Sequence, residues 1–167
     1  LRQRRSNVVG VVINDLLNPY FAEVLVGLER GLGEAGYQVL MAHTAEKLER
    51  QQHVLQTMRE HDAAGIVLCP VIGTPPQVVH TVREWGIALT VMVRRLGEDH
   101  DFAGSANAEG VALAMGHLIA RGHRRIAFLG GRQDAMLGER AAAYRAALQA
   151  HGLRFESELM FEAHPSR

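Results

Sequence analysis

Two stretches of this sequence carry residue types suited to holding a small polar ligand. The first combines Asp15 and Asn18 with the adjacent aromatic residues Tyr20 and Phe21. Asp15 and Asn18 can cap a following helix and Pro19 suits its first turn, so helix initiation alone explains these three. The aromatic residues are less explained by it. Phe21 is equally consistent with a core position, whereas Tyr20 must point elsewhere and could stack on a ligand or hydrogen-bond to it.

The second stretch is rich in glycine and leads to an arginine. Gly130 and Gly131 allow another molecule to approach the backbone closely. We expect Arg140 in the first turn of the next helix, where a positive charge opposes the helix dipole. A salt bridge near Glu139 or exposure to solvent is one explanation for such a charge. The other is that the forked guanidinium donates hydrogen bonds to the hydroxyls or the carboxylate of a ligand.

The sequence contains no pattern typical of an enzyme. Gly27, Gly31 and Gly33 have the wrong spacing for a dinucleotide-binding loop and fall within a helical pattern. No serine lies in a nucleophile elbow, and the histidines lack metal-ligand spacing. The single cysteine, Cys69, is better explained as a small buried residue than as a nucleophile. We therefore expect no catalysis, no metal and no cofactor.

Short apolar runs alternate with helical patterns and would position both stretches. The predicted strands are 8–13, 38–42, 65–69, 89–93, 125–129 and 159–162. They recur about every 30 residues, the length of a βαβ unit, and mostly lack polar alternation. This pattern predicts an α/β protein with a mainly parallel sheet. Ligands of such sheets bind outside the carboxyl ends of the strands, where both candidate stretches lie.

The chain is predicted to form two lobes. The polar segment 97–108 interrupts the regular alternation, and we interpret it as a crossover between lobes at 7–104 and 105–167, after a linker at 1–6. The second lobe would hold two strands, too few for an independently stable sheet, so we expect it to be truncated at its C-terminus. Helix ends are predicted at a set of glycines, Gly33, Gly36, Gly86, Gly122 and Gly152.

The composition excludes several classes of protein. The 167 residues are 47% hydrophobic, with 18 Lys+Arg against 18 Asp+Glu, as in an ordinary globular protein. A domain that bound DNA by itself would carry an excess of positive charge, and this chain has none. No apolar run approaches the roughly 20 residues that cross a bilayer. The start of the chain lacks an export signal, and a lone cysteine agrees with a reducing compartment.

The order of several short motifs resembles the effector-binding domain of lactose/galactose-repressor (LacI/GalR) transcription regulators. The resemblance runs the whole length of the chain, and no single motif decides it. The motifs are Val9-Gly10-Val11-Val12-Ile13, Asn18-Pro19-Tyr20-Phe21, Gly36-Tyr37, Gly65-Ile66-Val67-Leu68, Gly122-His123-Arg124-Arg125-Ile126, and Arg140 before Tyr144-Arg145-Ala146-Ala147-Leu148.

The resemblance implies a two-lobed periplasmic-binding-protein-like fold that holds a small effector, often a sugar or a nucleobase. It further implies a cytoplasmic repressor that forms homodimers through this core. Operator DNA would be read by an N-terminal helix-turn-helix module missing from this chain. By the same resemblance, Tyr20 and Phe21 are aromatic residues of the effector cleft, and Arg140 clamps the effector. Asn107 with Gly110 resembles the Asp-Asn-x-x-Gly element that opens the helix of the second lobe.

The sequence departs from the family pattern at two positions that often carry aspartate. Ala106 stands at the aspartate position of the Asp-Asn-x-x-Gly element, and Val93 stands where an aspartate often precedes arginine. These losses suggest a cleft poorer in carboxylates and a less polar or anionic ligand. Asp15, Asp134 or Glu109 could compensate, and Asp15 joins the candidate effector-binding residues for that reason.

Two further functions compete with the effector domain of a regulator. An exported solute-binding protein that delivers a sugar to a transporter would share the architecture, and it predicts a signal peptide upstream of Leu1 instead of a helix-turn-helix. An α/β enzyme is disfavoured because no nucleophile, metal or cofactor motif is present.

Overall fold

The computed structural model describes residues 6–130 and 135–162. The chain forms two compact units, Leu1–Gly104 and Ser105–Arg167. Every pairing between its strands is parallel among the described residues. This confirms the predicted α/β fold with parallel sheets flanked by helices.

The first unit is a five-stranded sheet with three helices. The strands are β1 Val8–Ile13, β2 Gln38–His43, β3 Gly65–Leu68, β4 Ala88–Met92 and β5 Asp101–Ala103, and the helices are α1 Pro19–Glu34, α2 Leu48–Glu60 and α3 Gln77–Glu84. The sheet order is β2-β1-β3-β4-β5. All five strands therefore end at one carboxyl edge, as predicted for the ligand side of such a sheet.

Both faces of this sheet are covered by apolar residues. Val12, Leu68 and Val91 face the core beneath α2 and α3 and are fully buried. Val11 and Ile13 face the opposite core, beneath α1. This explains the absence of polar alternation along β1, since both sets of side chains are removed from water. Packing is close at Gly10, where a Cβ atom would lie 2.6 Å from the sulfur of Met58.

The segment 97–108 contains regular structure that the sequence interpretation missed. It was expected to be a crossover without a strand, yet β5 pairs with β4 through Thr90 and Asp101, and through Met92 and Ala103. The strand is short and mostly exposed, and Asp101 is a residue type depleted in strands, which is why its pattern gave no signal. β5 completes the first sheet just before the boundary between the units.

The described part of the second unit contains two α-helices, two short strands and a short 3₁₀ helix. Its elements are α4 Asn107–Ala120, β6 Phe128–Gly130, α5 Ala135–Ala150, the 3₁₀ helix Ser157–Leu159 and β7 Met160–Glu162. Tyr144 and Leu148 of α5 pack against Met115 and Ile119 of α4 in a single apolar core. β6 and β7 form a two-stranded sheet within the part of the chain that the structure describes.

Strand β6 is shorter than predicted and lies further along the chain. The predicted strand at 125–129 includes Arg125, which instead pairs with Glu156 at 3.3 Å. The carbonyl of Ile126 accepts a 2.8 Å hydrogen bond from the Tyr144 hydroxyl. Pairing with β7 begins only at Phe128. Burial raises the pKa of Tyr144, and the nearby Glu156 carboxylate adds to that effect.

Glycines end the helices largely as expected. Gly36, Gly86, Gly122 and Gly152 follow α1, α3, α4 and α5, and each has a positive φ of 65° to 90°. Gly33 does not end a helix but lies within α1. Helix α2 is followed instead by Asp62, whose φ is 50°, a left-handed conformation that aspartate tolerates better than most residues.

Candidate effector site

The loop after β1 is shaped by its own polar side chains. Asn18 caps α1, because its side-chain oxygen accepts the Tyr20 backbone N–H at 3.1 Å, and Pro19 opens the helix. Asp15 was also expected to be able to cap this helix. Its Oδ1 instead accepts the backbone N–H of Leu17 at 2.9 Å and so stabilises the turn before the cap.

The two aromatic residues of this loop have different environments. Phe21 is 6% exposed and packs in the core beneath α1 with Ile13 and Met92, so the core interpretation of this residue is confirmed. Tyr20 is 46% exposed and meets the Phe21 ring edge-to-face, with the ring centroids 5.2 Å apart. Tyr20 is thus the aromatic surface available at this edge, and Phe21 supports it from below.

Four consecutive strand ends meet in a polar cluster that the sequence interpretation did not identify. We name it the strand-end cluster: Asn14 after β1, Glu46 after β2, the carbonyl of Pro70 after β3, and Arg94 after β4. Arg94 Nη1 lies 2.7 Å from Glu46 Oε1 and donates to the Pro70 carbonyl at 2.8 Å. Asn14 Nδ2 donates to the same two acceptors at 2.8 and 3.2 Å. Glu46 Oε2 accepts the backbone N–H of Ile72 at 3.2 Å.

The cluster is largely removed from solvent. Asn14 is 2% exposed, and the side chains of Arg94 and Glu46 are 16% and 26% exposed. Among the described residues, the buried Oδ1 of Asn14 has no hydrogen-bond partner. The opposite amide orientation would place this oxygen against the Glu46 carboxylate, so the hydrogen bonds of the Asn14 NH₂ group fix its orientation.

Two loops reach the cluster through left-handed backbone. Ala45 and Glu46 have φ of 51° and 55°, and Val93, directly before Arg94, has φ of 69°. Such conformations cost non-glycine residues on the order of 1 kcal/mol or more, and a β-branched residue such as valine adopts them least readily. The surrounding contacts must therefore hold these loops in place.

A second buried network braces the loop after β3. Gln51 of α2 is 1% exposed, and its Oε1 accepts the Val71 backbone N–H at 2.8 Å. Its Nε2 donates to Thr74 Oγ1 at 3.0 Å. The loop that supplies the Pro70 carbonyl is consequently held from α2 as well as from the strand-end cluster.

In the second unit the structure brings together two residues that the sequence singled out. Arg140 Nε donates to Asn107 Oδ1 at 2.7 Å, and Asn107 Nδ2 donates to Glu139 Oε2 at 3.4 Å. Asn107 is 9% exposed, and Arg140 is half-buried. Helix α5 begins at Ala135, so Arg140 lies in its second turn and not in the first as expected. The argument from the helix dipole is wrong for this residue, because that effect fades within the first turn.

The residues proposed to compensate for missing carboxylates differ in how far the structure describes them. Glu109 is exposed in the first turn of α4, and Asp134 lies outside the described residues. Ala106 stands at the N-cap of α4 without a side-chain hydrogen bond, whereas an aspartate there could provide one.

The described residues hold no group of three His, Cys, Asp or Glu side chains placed to bind a metal ion. No described helix is long and apolar enough to span a membrane. Cys69 is fully buried in the core beneath α1, as predicted for a small apolar role.

Comparison with known proteins gives a consistent result along the chain. Residues 6–167 match the family model described as periplasmic binding proteins and sugar binding domain of LacI family. The chain is 29% identical to the maltose regulon regulatory protein MalI of Escherichia coli, covering 100% of this chain and 49% of that protein. It is 32% identical to the transcriptional regulator GntR of the same organism, covering 92% of this chain and 46% of that protein.

A solved structure gives the same picture for the fold. The transcription regulator GntR from Chromobacterium violaceum superimposes with a TM-score of 0.81 at 29% identity, covering 95% of this chain and 58% of that one. The present chain spans about half the length of the curated relatives it matches.

Proposed function

The chain belongs to the family of periplasmic binding proteins and LacI-type sugar-binding domains, and from this premise we propose that it is the effector-sensing part of a DNA-binding transcription regulator. The effector is a small molecule of the sugar class or a related metabolite. It binds at the carboxyl edges of the parallel strands, where ligands of open α/β sheets bind.

The observation that carries this proposal is the contact between Arg140 and Asn107. Its 2.7 Å hydrogen bond fixes the guanidinium through a neutral amide, which leaves the positive charge uncompensated by that partner. A guanidinium held in this way is prepared to donate paired hydrogen bonds to ligand hydroxyls or to a carboxylate. Asn107 therefore orients Arg140, and Arg140 binds the effector.

The candidate residues of the first unit have a different chemistry. The exposed ring of Tyr20 packs on the apolar face of the effector, with Phe21 beneath it as support. The Asp15 carboxylate accepts hydrogen bonds from effector hydroxyls, while its Oδ1 also stabilises the turn to Leu17. These assignments extend the residue-by-residue resemblance and are proposals of this article.

The regulator works by a shift between conformations. The effector binds one arrangement of the whole protein better than another, and this difference in affinity changes how strongly the protein binds its operator. DNA is contacted by a helix-turn-helix module outside this chain, and the whole protein acts as a homodimer in the cytoplasm. The neutral net charge of the chain agrees with a sensing part that does not itself bind DNA.

An exported solute-binding protein is the alternative with the same architecture. The similarity to the regulators MalI and GntR along nearly the whole chain favours the regulator. The same relatives are regulators and not enzymes, which agrees with the lack of a catalytic pattern in the sequence.

The test begins with isothermal titration calorimetry of the purified chain against maltose, D-ribose, D-gluconate and fructose 1-phosphate. We expect one of these chemical classes to bind. The complete protein encoded by the same gene is then assayed for operator binding with and without that compound. Operator affinity that does not change when the effector binds would refute the regulatory function.

A further inference from the structure

The strand-end cluster has a feature that ordinary loop packing does not require. One carboxylate, that of Glu46, accepts hydrogen bonds from three other loops: from Arg94 and Asn14 on Oε1 and from Ile72 on Oε2. The Pro70 carbonyl accepts from Arg94 and Asn14 as well, so the same two donors join the same two loops twice. Four strand ends are thereby held at fixed spacing by a small number of atoms.

A carboxylate is the side chain that this position requires. Both oxygens of Glu46 face donors, and a glutamine would place an NH₂ group against one of them. Loss of the negative charge would also remove the 2.7 Å ion pair with the mostly buried Arg94 guanidinium, and breaking a buried ion pair by changing one partner is strongly unfavourable. Glu46→Gln therefore changes charge and donor pattern at nearly constant volume.

The cluster adjoins the loop that carries the first unit's candidate effector residues. Asn14 is directly followed by Asp15, whose side chain shapes the turn that leads to the cap of α1 and to Tyr20. Because Asn14 is almost completely buried and hydrogen-bonded to Glu46 and Pro70, it fixes the start of this loop.

We infer that Glu46 and Arg94 are positioning residues of the effector site, which hold the loop from Asp15 to Tyr20 in its binding conformation without contacting the effector. This inference rests on the proposed function for its binding readout. Binding sites lose affinity steeply when the residues that support their contacts are loosened, even if the contacts themselves remain.

The experiment compares Glu46→Gln and Arg94→Gln with the unchanged chain. The effector probe is whichever of maltose, D-ribose, D-gluconate or fructose 1-phosphate binds the unchanged chain in calorimetry. We expect each variant to bind it at least about tenfold more weakly. Hydrogen exchange should show lost protection of the backbone amides in the segment 14–18. The Glu46 carboxylate binds the side chain of Asn14, not the backbone amides of this segment, so lost protection there would report a looser loop. Arg94→Lys keeps a donor and a positive charge, and should restore most of the affinity.

Two controls separate positioning from general destabilisation. Asp99→Asn breaks the exposed Arg83–Asp99 ion pair of the same unit and should change neither readout. Leu68→Ala lowers the stability of the same sheet from within its core, without altering a member of the cluster. Measured where all variants are folded, it should leave the probe affinity within about twofold of the unchanged chain.

Each outcome decides a separate question. Tight probe binding by both Glu46→Gln and Arg94→Gln would overturn the positioning role and leave the proposed function intact. Equal losses in Leu68→Ala would also overturn it. If the unchanged chain binds none of the four probes, the exchange measurement decides alone: unaltered protection of 14–18 in both variants refutes the inference, and lost protection confined to that segment supports it.

Discussion

The two units of this chain hold an arginine in contrasting ways. In the first unit, the mostly buried Glu46 carboxylate of the strand-end cluster binds the Arg94 guanidinium and the NH₂ group of Asn14. In the second unit, Arg140 is hydrogen-bonded to the neutral amide of Asn107. The contrast teaches that the same residue type can serve different purposes. Arg94 joins the ends of strands through an ion pair, whereas we propose that Arg140 keeps its charge for a ligand.

The largest expected effect is on stability and concerns the apolar core beneath the strand-end cluster. Leu68 is fully buried at the end of β3, so Leu68→Ala should reduce the free energy of unfolding by about 2–5 kcal/mol. Leu148→Ala, at a 2% exposed position of the second unit, is the matched control. Urea denaturation measures the loss, and hydrogen exchange locates it. Hydrogen-exchange protection should fall most in the unit that carries the substitution. A larger loss of protection in the other unit would contradict this expectation.

The next effect concerns Arg140, the arginine that we propose binds the effector. Arg140→Ala should weaken effector binding by about 1.5–3 kcal/mol, the size of hydrogen bonds to a charged group, with folding nearly intact. Arg145→Ala removes a positive charge from the same helix, where the guanidinium lies 5.2 Å over the Phe155 ring, and should not change the affinity. Calorimetry of both variants is decisive, since equal affinity in Arg140→Ala and the unchanged chain would remove Arg140 from the site.

A smaller effect tests how the second unit holds its core. Tyr144→Phe removes the hydroxyl that donates to the Ile126 carbonyl and should cost about 1–2 kcal/mol of stability. Burial raises the pKa of this hydroxyl in the folded state, so ionisation opposes folding. The tyrosine's contribution is complete below its ordinary pKa near 10 and declines as the pH rises above that value. Denaturation from pH 8 to 11 should show this decline in the unchanged chain and a weaker decline in Tyr144→Phe.

The smallest effect concerns the capped loop of the first unit. Asn18→Ala removes the side chain that accepts the Tyr20 N–H, and should reduce stability by about 1 kcal/mol. Asn18→Asp retains an acceptor and should lose much less. Chemical denaturation measures the loss of stability in both variants. Equal losses would show that the hydrogen-bond acceptor at the cap is not what stabilises this loop.

The fold was largely predictable because its signals are local. Apolar runs such as that of β1 and glycines such as Gly122 report burial and helix ends within a few residues. The failures also have physical causes. β5 is too short and too exposed to give a pattern, and β6 pairs over only three residues, fewer than its apolar run predicts.

The site was predictable only in part. Tyr20 stood out because helix initiation did not explain it, whereas the helix-dipole reasoning that singled out Arg140 does not hold in the second turn of α5. The hydrogen bond of Arg140 to Asn107 was not predicted from the sequence. The strand-end cluster was missed because its members are far apart in the sequence: Glu46 follows Asn14 by 32 residues, and Arg94 follows Asn14 by 80. Each of them also looks like an ordinary loop residue. One signal was available: each of the three follows a predicted strand, and parallel strands bring their carboxyl ends together.

The sharing of one carboxylate among four loops has a consequence for redesign. Loops at the mouth of a sheet are commonly exchanged one at a time to give a scaffold a new specificity. Here a foreign loop at any of the four positions would remove a donor or an acceptor to which at least two of the other loops are hydrogen-bonded. The loops after β1, β2, β3 and β4 thus form one inseparable module, and a graft should transfer Asn14, Glu46 and Arg94 together.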